Sequence, residues 1–188
     1  MRMKRWWLAL SVSACLAGCA GYSESYSLAP APAPVASPSQ VVMKQSEFDA
    51  SPTFFGRPMV ASTPDGFPQR RWVQLVETGD RAQSNQKEVV LANFWYLGDW
   101  AYFTSANYEG GKFQRLDDVD RKVGDCHNGC DFTEKTMLFL PKEYLEHHAK
   151  TGFSLRYNTQ RHGSVVVSIP AYEVQGFLDG VQAKLAKK

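Results

Sequence analysis

The chain has 188 residues, 44% apolar and 13% aromatic, with 21 Lys+Arg against 19 Asp+Glu and a formal charge of +2. That length fits one domain with a hydrophobic core of its own, and the near-neutral charge excludes the basic footprint of a nucleic-acid binder. The charge is unevenly placed: residues 1–18 carry Arg2, Lys4 and Arg5 and no acidic group, so without them 18 basic side chains face 19 acidic ones, a formal −1.

The first segment reads as an export leader, a positive start followed by an apolar run from Trp6 to Leu16, too short to span a bilayer as a permanent helix. Small residues Ala17 and Gly18 then stand before Cys19, with Leu16 three positions upstream of it. The pattern resembles the lipobox of bacterial lipoproteins, over residues 1–19. The resemblance implies that residues 1–18 are a cleaved signal peptide and that Cys19 is acylated and becomes the new N-terminus. One acyl chain holds a protein marginally, whereas two or more, at roughly 0.8 kcal/mol per buried CH₂, make a lasting anchor. The plain alternatives are an ordinary secretory peptide and an uncleaved start helix. No Asp follows Cys19 (Ala20 and Gly21 do), and in enterobacteria-like lipoproteins an Asp there favours the inner membrane. The implied address is the outer membrane, facing the periplasm.

Residues 19–40 follow the anchor with Ala29-Pro30-Ala31-Pro32-Ala33-Pro34 and Ser37-Pro38-Ser39. Such a stretch buries too little apolar surface to offset the entropy of ordering and reads as a tether, about 65 Å long if polyproline-like and roughly 25 Å as a coil. Residues 41–188 are then expected to form a single β-rich domain. Its first part, 41–70, is broken by Pro52, Gly56, Pro58, Pro64, Gly66 and Pro68 while carrying Phe48, Phe54, Phe55 and Phe67. It reads as an irregular arm pinned by aromatics, with one short edge strand.

Strand signals dominate from there. Residues 71–76 and 88–97 are β-branched and aromatic runs. Gly98-Asp99 before the alternating residues 100–104 reads as a hairpin turn, and 107–111 as a second turn ahead of a returning strand at 113–116. Residues 135–140, 153–157 and 164–169 complete about seven strands. A short helix is expected with Pro141 in its first turn, running through Tyr144, Leu145 and His148 and ended by Gly152. The C-terminal stretch opens at Pro170 and sets Val174, Phe177, Leu178, Val181 and Leu185 at helical steps, one apolar stripe. The expected fold class is therefore mainly β with two helices (α+β), an antiparallel β-sandwich-like domain closed by a C-terminal amphipathic helix.

The densest chemistry is Asp125-Cys126-His127-Asn128-Gly129-Cys130-Asp131. In an exported chain the even pair Cys126 and Cys130 reads as a disulfide across a tight loop, a hairpin end between Val123 and Phe132. The competing reading is a metal site using both cysteines, His127 and a distant His147, His148 or His162, but structural zinc wants two such ligand pairs. His147 and His148, adjacent on a helix, point about 100° apart and do not converge on one ion; one half-buried and one solvated histidine is expected. Gly176 and Gly180 read as small residues that let the last helix approach a sheet. Asp117, Asp118 and Asp120 beside Arg115, Arg121 and Lys122 read as a solvated, self-neutralising face.

The chain contains no Gly-x-Ser-x-Gly elbow, no His-Glu-x-x-His and no phosphate or dinucleotide loop. No catalytic residue, cofactor or metal is expected from it. The aromatic excess at Phe94-Trp95-Tyr96, Trp100, Tyr102 and Phe103 exceeds what one small sandwich can bury, so Tyr96, Trp100 and Tyr102 are the candidate partner surface. The resulting expectation is a membrane-anchored envelope lipoprotein, non-catalytic, with a structural or interaction role and an envelope protein as partner. The alternative is a periplasmic module binding a small ligand or glycan, and behind it a hydrolase whose site is dispersed.

Overall fold

The structure is a computed structural model, and it describes residues 41–47, 49, 51–62, 66–79, 86–127, 129–141 and 143–187. The leader, Cys19, the tether, Phe48 and Asn128 lie outside the described residues.

Among the described residues, eleven strands and two α-helices follow one another as β1 (Val42–Lys44), β2 (Thr53–Phe55), β3 (Met59–Ser62), β4 (Arg70–Thr78), β5 (Lys87–Leu97), β6 (Phe103–Tyr108), β7 (Lys112–Arg115), β8 (Asp117–Val123), β9 (Asp131–Leu140), α1 (Tyr144–His148), β10 (Phe153–Thr159), β11 (Ser164–Ile169) and α2 (Ala171–Leu185). They form two antiparallel sheets, a larger one ordered β1-β2-β4-β5-β9-β8 with β3 also on β4, and a smaller one ordered β11-β10-β6-β7. This is the mainly β, two-helix, sandwich-like architecture expected from the alternation.

The alternation itself selects the core. Along β9 every second residue is buried, as it is along β10 (Phe153, Leu155, Tyr157) and β11 (Val165, Val167, Ile169). The inward faces meet around Phe94 and Phe103, whose rings stack at 3.9 Å between centroids, with Tyr157 edge-on to Phe94 at 5.1 Å. Helix α2 starts after Pro170 and buries Val174, Phe177, Leu178 and Val181, the stripe read from the sequence. Its Phe177 ring covers Gly56, where a Cβ would come within 2.8 Å of the ring, and its Glu173 pairs with Arg57. Gly180 is buried on the same helix.

Four expectations are corrected. Gly98-Asp99 is not a hairpin turn: β5 pairs with β4 and β9 while β6 pairs with β10 and β7, so residues 98–102 cross from one sheet to the other. Among the described residues the 41–70 arm holds three short strands rather than one. Residues 117–123, read as a solvated charged face, are indeed exposed but form edge strand β8 on β9. Pro141 precedes α1 rather than sitting in its first turn; Glu143, at φ 62°, is the residue before the helix. The turn at 107–111 and the β8–β9 hairpin end, with Val123 opposite Phe132, are as expected.

Candidate interaction surface

One end of the sandwich gathers the crossover 98–102, the cysteine loop between β8 and β9, and the turn between β10 and β11. Their common origin is strand direction: Leu97 at the end of β5 lies opposite Asp131 at the start of β9, and Thr159 at the end of β10 lies opposite Phe103 at the start of β6. The amide of Gly98 donates to the carbonyl of Cys130 at 3.2 Å, and that of Gln160 reaches the carbonyls of Ala101 and Tyr102 at 3.0 and 3.1 Å. The crossover is thereby clamped from both sides.

Its organising group is Glu134. This side chain takes a core position on β9 between Phe132 and Thr136 and is fully buried. A buried carboxylate is costly unless hydrogen-bonded and paired, and Glu134 is both. One oxygen accepts the Tyr96 hydroxyl and the Tyr102 amide (2.8 Å), and the other accepts the Phe103 amide (3.1 Å) and Arg121 Nε (3.1 Å). The Tyr96 hydroxyl in turn accepts the Ala101 amide at 2.9 Å. Burial, reinforced by the neighbouring Glu134 carboxylate, raises the Tyr96 phenol above its ordinary range.

Tyr96 therefore does not belong to the partner surface assigned to it from the sequence. It is completely buried, packed on Phe67 and Phe132, and its hydroxyl helps shape the crossover from beneath. Trp100 and Tyr102 are half-buried and adjacent, 6.1 Å between ring centroids, with Trp100 resting edge-on against Phe132. Tyr102 has φ 55°, a left-handed conformation that a bulky residue adopts only when its surroundings impose it. Here the surroundings are the Glu134 carboxylate and the Gln160 amide. In that pose the ring has two guanidiniums over it, Arg121 at 5.3 Å and Arg161 at 5.4 Å from its centroid, both within cation–π range. Arg121 also pairs with Asp118 at 2.8 Å, and Arg161 is exposed.

Beside this cluster Cys126 and Cys130 are joined in a disulfide, with Cα atoms 3.9 Å apart. The loop is closed further by Asp125, whose side chain accepts the His127 amide at 3.1 Å and whose carbonyl accepts the Asp131 amide at 3.1 Å. A Cβ on Gly124 beside it would meet the Asp131 carboxylate, which would have to move to admit it. The metal reading does not assemble: the sulfurs are bonded to each other, and no group of three His, Cys, Asp or Glu able to hold a metal occurs among the described residues. His147 is exposed while His148 is half-buried against Tyr144 and Phe153, the division expected for adjacent helical positions.

Glu134, Arg121 and Arg161 are the members of this surface that sequence reading missed. A signal for Glu134 existed, since it is the charged member of an otherwise inward set, Phe132, Thr136, Leu138 and Leu140, at strict two-residue spacing. Chemically the surface offers two π faces and two cations held in fixed relation, a combination suited to aromatic or carboxylate-bearing groups of a partner. Compared with protein-family models, curated proteins and solved structures, the chain matches none.

Proposed function

We propose that this chain is an envelope lipoprotein, acylated at Cys19 and held at the periplasmic side of the outer membrane. Its β domain docks non-catalytically onto an envelope protein through the Trp100–Tyr102 crossover. The address rests on the lipobox resemblance at residues 16–19. The docking role rests on one observation: Tyr102 is held at φ 55° by a buried carboxylate with Arg121 and Arg161 over its ring, an expensive local arrangement at the molecular surface. A tether confines the domain to a thin layer, so the effective concentration of a partner is high and a modest interface is occupied. Aromatic and Arg side chains are the usual energetic centres of such interfaces.

A photoreactive residue at position 99, exposed in the crossover, in the full chain expressed in its own cells is expected to crosslink to a discrete envelope protein. Tyr102→Ala and Arg161→Glu are each expected to lower that yield, or pull-down of the same partner, at least tenfold while leaving the thermal midpoint near that of the wild type. If both variants keep the partner, the surface does not dock. The tilted Trp100–Tyr102 pair also favours a glycan-binding alternative, since such a pair can stack on sugar rings. Sedimentation with purified peptidoglycan sacculi, lost in Trp100→Ala, would establish that reading instead.

A further inference from the structure

An antiparallel sheet with one face on the core ordinarily turns a polar face outward. The smaller sheet does so: Ser154, Arg156 and Asn158 point outward along β10, with Asn107 and Ser105 opposite the last two. The larger sheet does not. Its register sets Val42, Phe55, Val76, Val89 and Phe139 side by side in one row across β1, β2, β4, β5 and β9. Their strand neighbours Phe54, Leu75, Val90 and Leu138 take the inward positions and belong to the core, so this row lies on the outer face. Further rows add Leu91 beside Met137 and Val60 beside Trp72. Val76 and Val89 are buried in the middle of their row, Phe55, Phe139, Trp72, Leu91 and Met137 are half-buried, and Val42 and Val60 are 50% and 64% exposed.

Cations are laid over this surface. Lys44 Nζ stands 5.2 Å from the centroid of Phe55, Lys87 Nζ 5.6 Å from that of Phe139, and the Arg70 guanidinium 5.9 Å from that of Trp95. Lys44 and Lys87 end the row Lys44-Thr53-Thr78-Lys87, which adjoins the apolar one. Among the described residues none of the three cations sits in a salt bridge. The acidic groups of the face lie at its β8 and β9 side, where Asp120 pairs with Lys122 at 2.9 Å and Asp131 accepts Trp95 Nε1 at 2.7 Å. Rings and aliphatic side chains beneath Lys and Arg suit the interfacial layer of a bilayer, where the rings and the stems of the basic side chains meet the acyl boundary and the charges meet phosphate. A second copy fits worse, because two such faces laid together set cations against cations.

We propose that the outer face of the larger sheet rests on an anionic phospholipid bilayer, with Lys44, Lys87 and Arg70 against the phosphates. The outer face of the smaller sheet then points away from the bilayer. Attraction of this kind is screened by salt and is weaker than an acyl anchor. It is separate from the partner surface at the crossover and requires no lipid on Cys19.

Photocrosslinking of the full chain on vesicles of phosphatidylethanolamine and phosphatidylglycerol tests it. A photoreactive residue at position 60 is expected to give a phospholipid adduct by mass spectrometry, and the same residue at position 156, on the outer face of the smaller sheet, about tenfold less. Lys44→Glu combined with Lys87→Glu, both at exposed positions, is expected to lower the position-60 yield about fivefold without moving the thermal midpoint. Replacing phosphatidylglycerol by phosphatidylcholine is expected to lower it in the same way. Cys19→Ser is expected to lower both yields together while keeping the preference for position 60, so failure of the anchor and failure of the face give different results. Equal adducts at positions 60 and 156, or a position-60 yield that neither the lysine substitutions nor the lipid change lowers, overturns the proposal. So does a position-60 product in cells that contains a discrete envelope protein, which assigns the face to a protein partner, or a second copy of this chain.

Discussion

Glu134 and Glu88 are two buried carboxylates with opposite consequences. Glu134 meets four donors, one of them the Arg121 guanidinium, so its charge is balanced where it stands. Glu134→Gln turns one oxygen into a donor facing the Phe103 amide and Arg121, and is expected to cost about 3 kcal/mol in urea denaturation. A loss below about 1 kcal/mol would mean that the carboxylate does not hold the crossover. Glu88 accepts the Glu143 amide at 3.1 Å and the Leu145 amide at 2.9 Å, tying α1 to β5, and lies directly across from the buried Glu77. Burial first, then the negative Glu146 and Glu77, push its carboxyl up to about 8, with the Leu145 amide opposing. The unfolded carboxyl titrates near 4.5, so the unfolded chain releases this proton earlier as pH rises. The stability tied to protonated Glu88 is therefore complete below about pH 4.5 and is lost as pH climbs to about 8. Denaturation midpoints are expected to fall across that window in the wild type and to do so less in Glu88→Gln; equal slopes would remove Glu88 as the cause.

At the scale of elements, the crossover explains why the sequence misleads between Leu97 and Phe103. Gly98-Asp99 has turn chemistry, and Gly98 does turn at φ 119°, but turn chemistry does not specify which strand comes next. That choice belongs to Tyr96, Ala101, Tyr102 and Phe103, all gathered on or through Glu134 from another strand. The cysteine loop is the opposite case, because both partners lie four residues apart and the loop geometry is local. Thiol titration of the folded domain is expected to find no reactive thiol at Cys126 or Cys130, and elemental analysis no stoichiometric zinc. Replacing both by Ala is expected to cost about 2 kcal/mol, the entropy term for so short a ring. Two titratable thiols or one equivalent of zinc would restore the metal reading.

At the scale of the whole molecule, the organisation proposed is an anchor, a tether and a sandwich whose clamped end meets the partner. Cys19→Ser is expected to leave an unprocessed or soluble protein with the same thermal midpoint as the lipidated form. Cys19→Ser protein that still sediments with membranes and resists carbonate extraction would overturn the anchor. No helix among the described residues is long and apolar enough to cross a membrane.

The sequence by itself determined the features whose cause is local or periodic. Two-residue alternation marked the strands and their inward faces, the steps of three and four marked the buried stripe of α2, and short spacing marked the Cys126–Cys130 loop. Tertiary structure alone decided that Tyr96 is core while Trp100 and Tyr102 stay half-exposed, because all three satisfy the same aromatic pattern, and Tyr96 turns its side-chain hydroxyl to Glu134 whereas Tyr102 meets it through its backbone amide. It also decided that Asp117 to Val123 is an edge strand, since an exposed ladder on one side leaves no apolar alternation to read. Periodicity reports which face of a segment avoids water; it carries no information about which distant segment provides the cover.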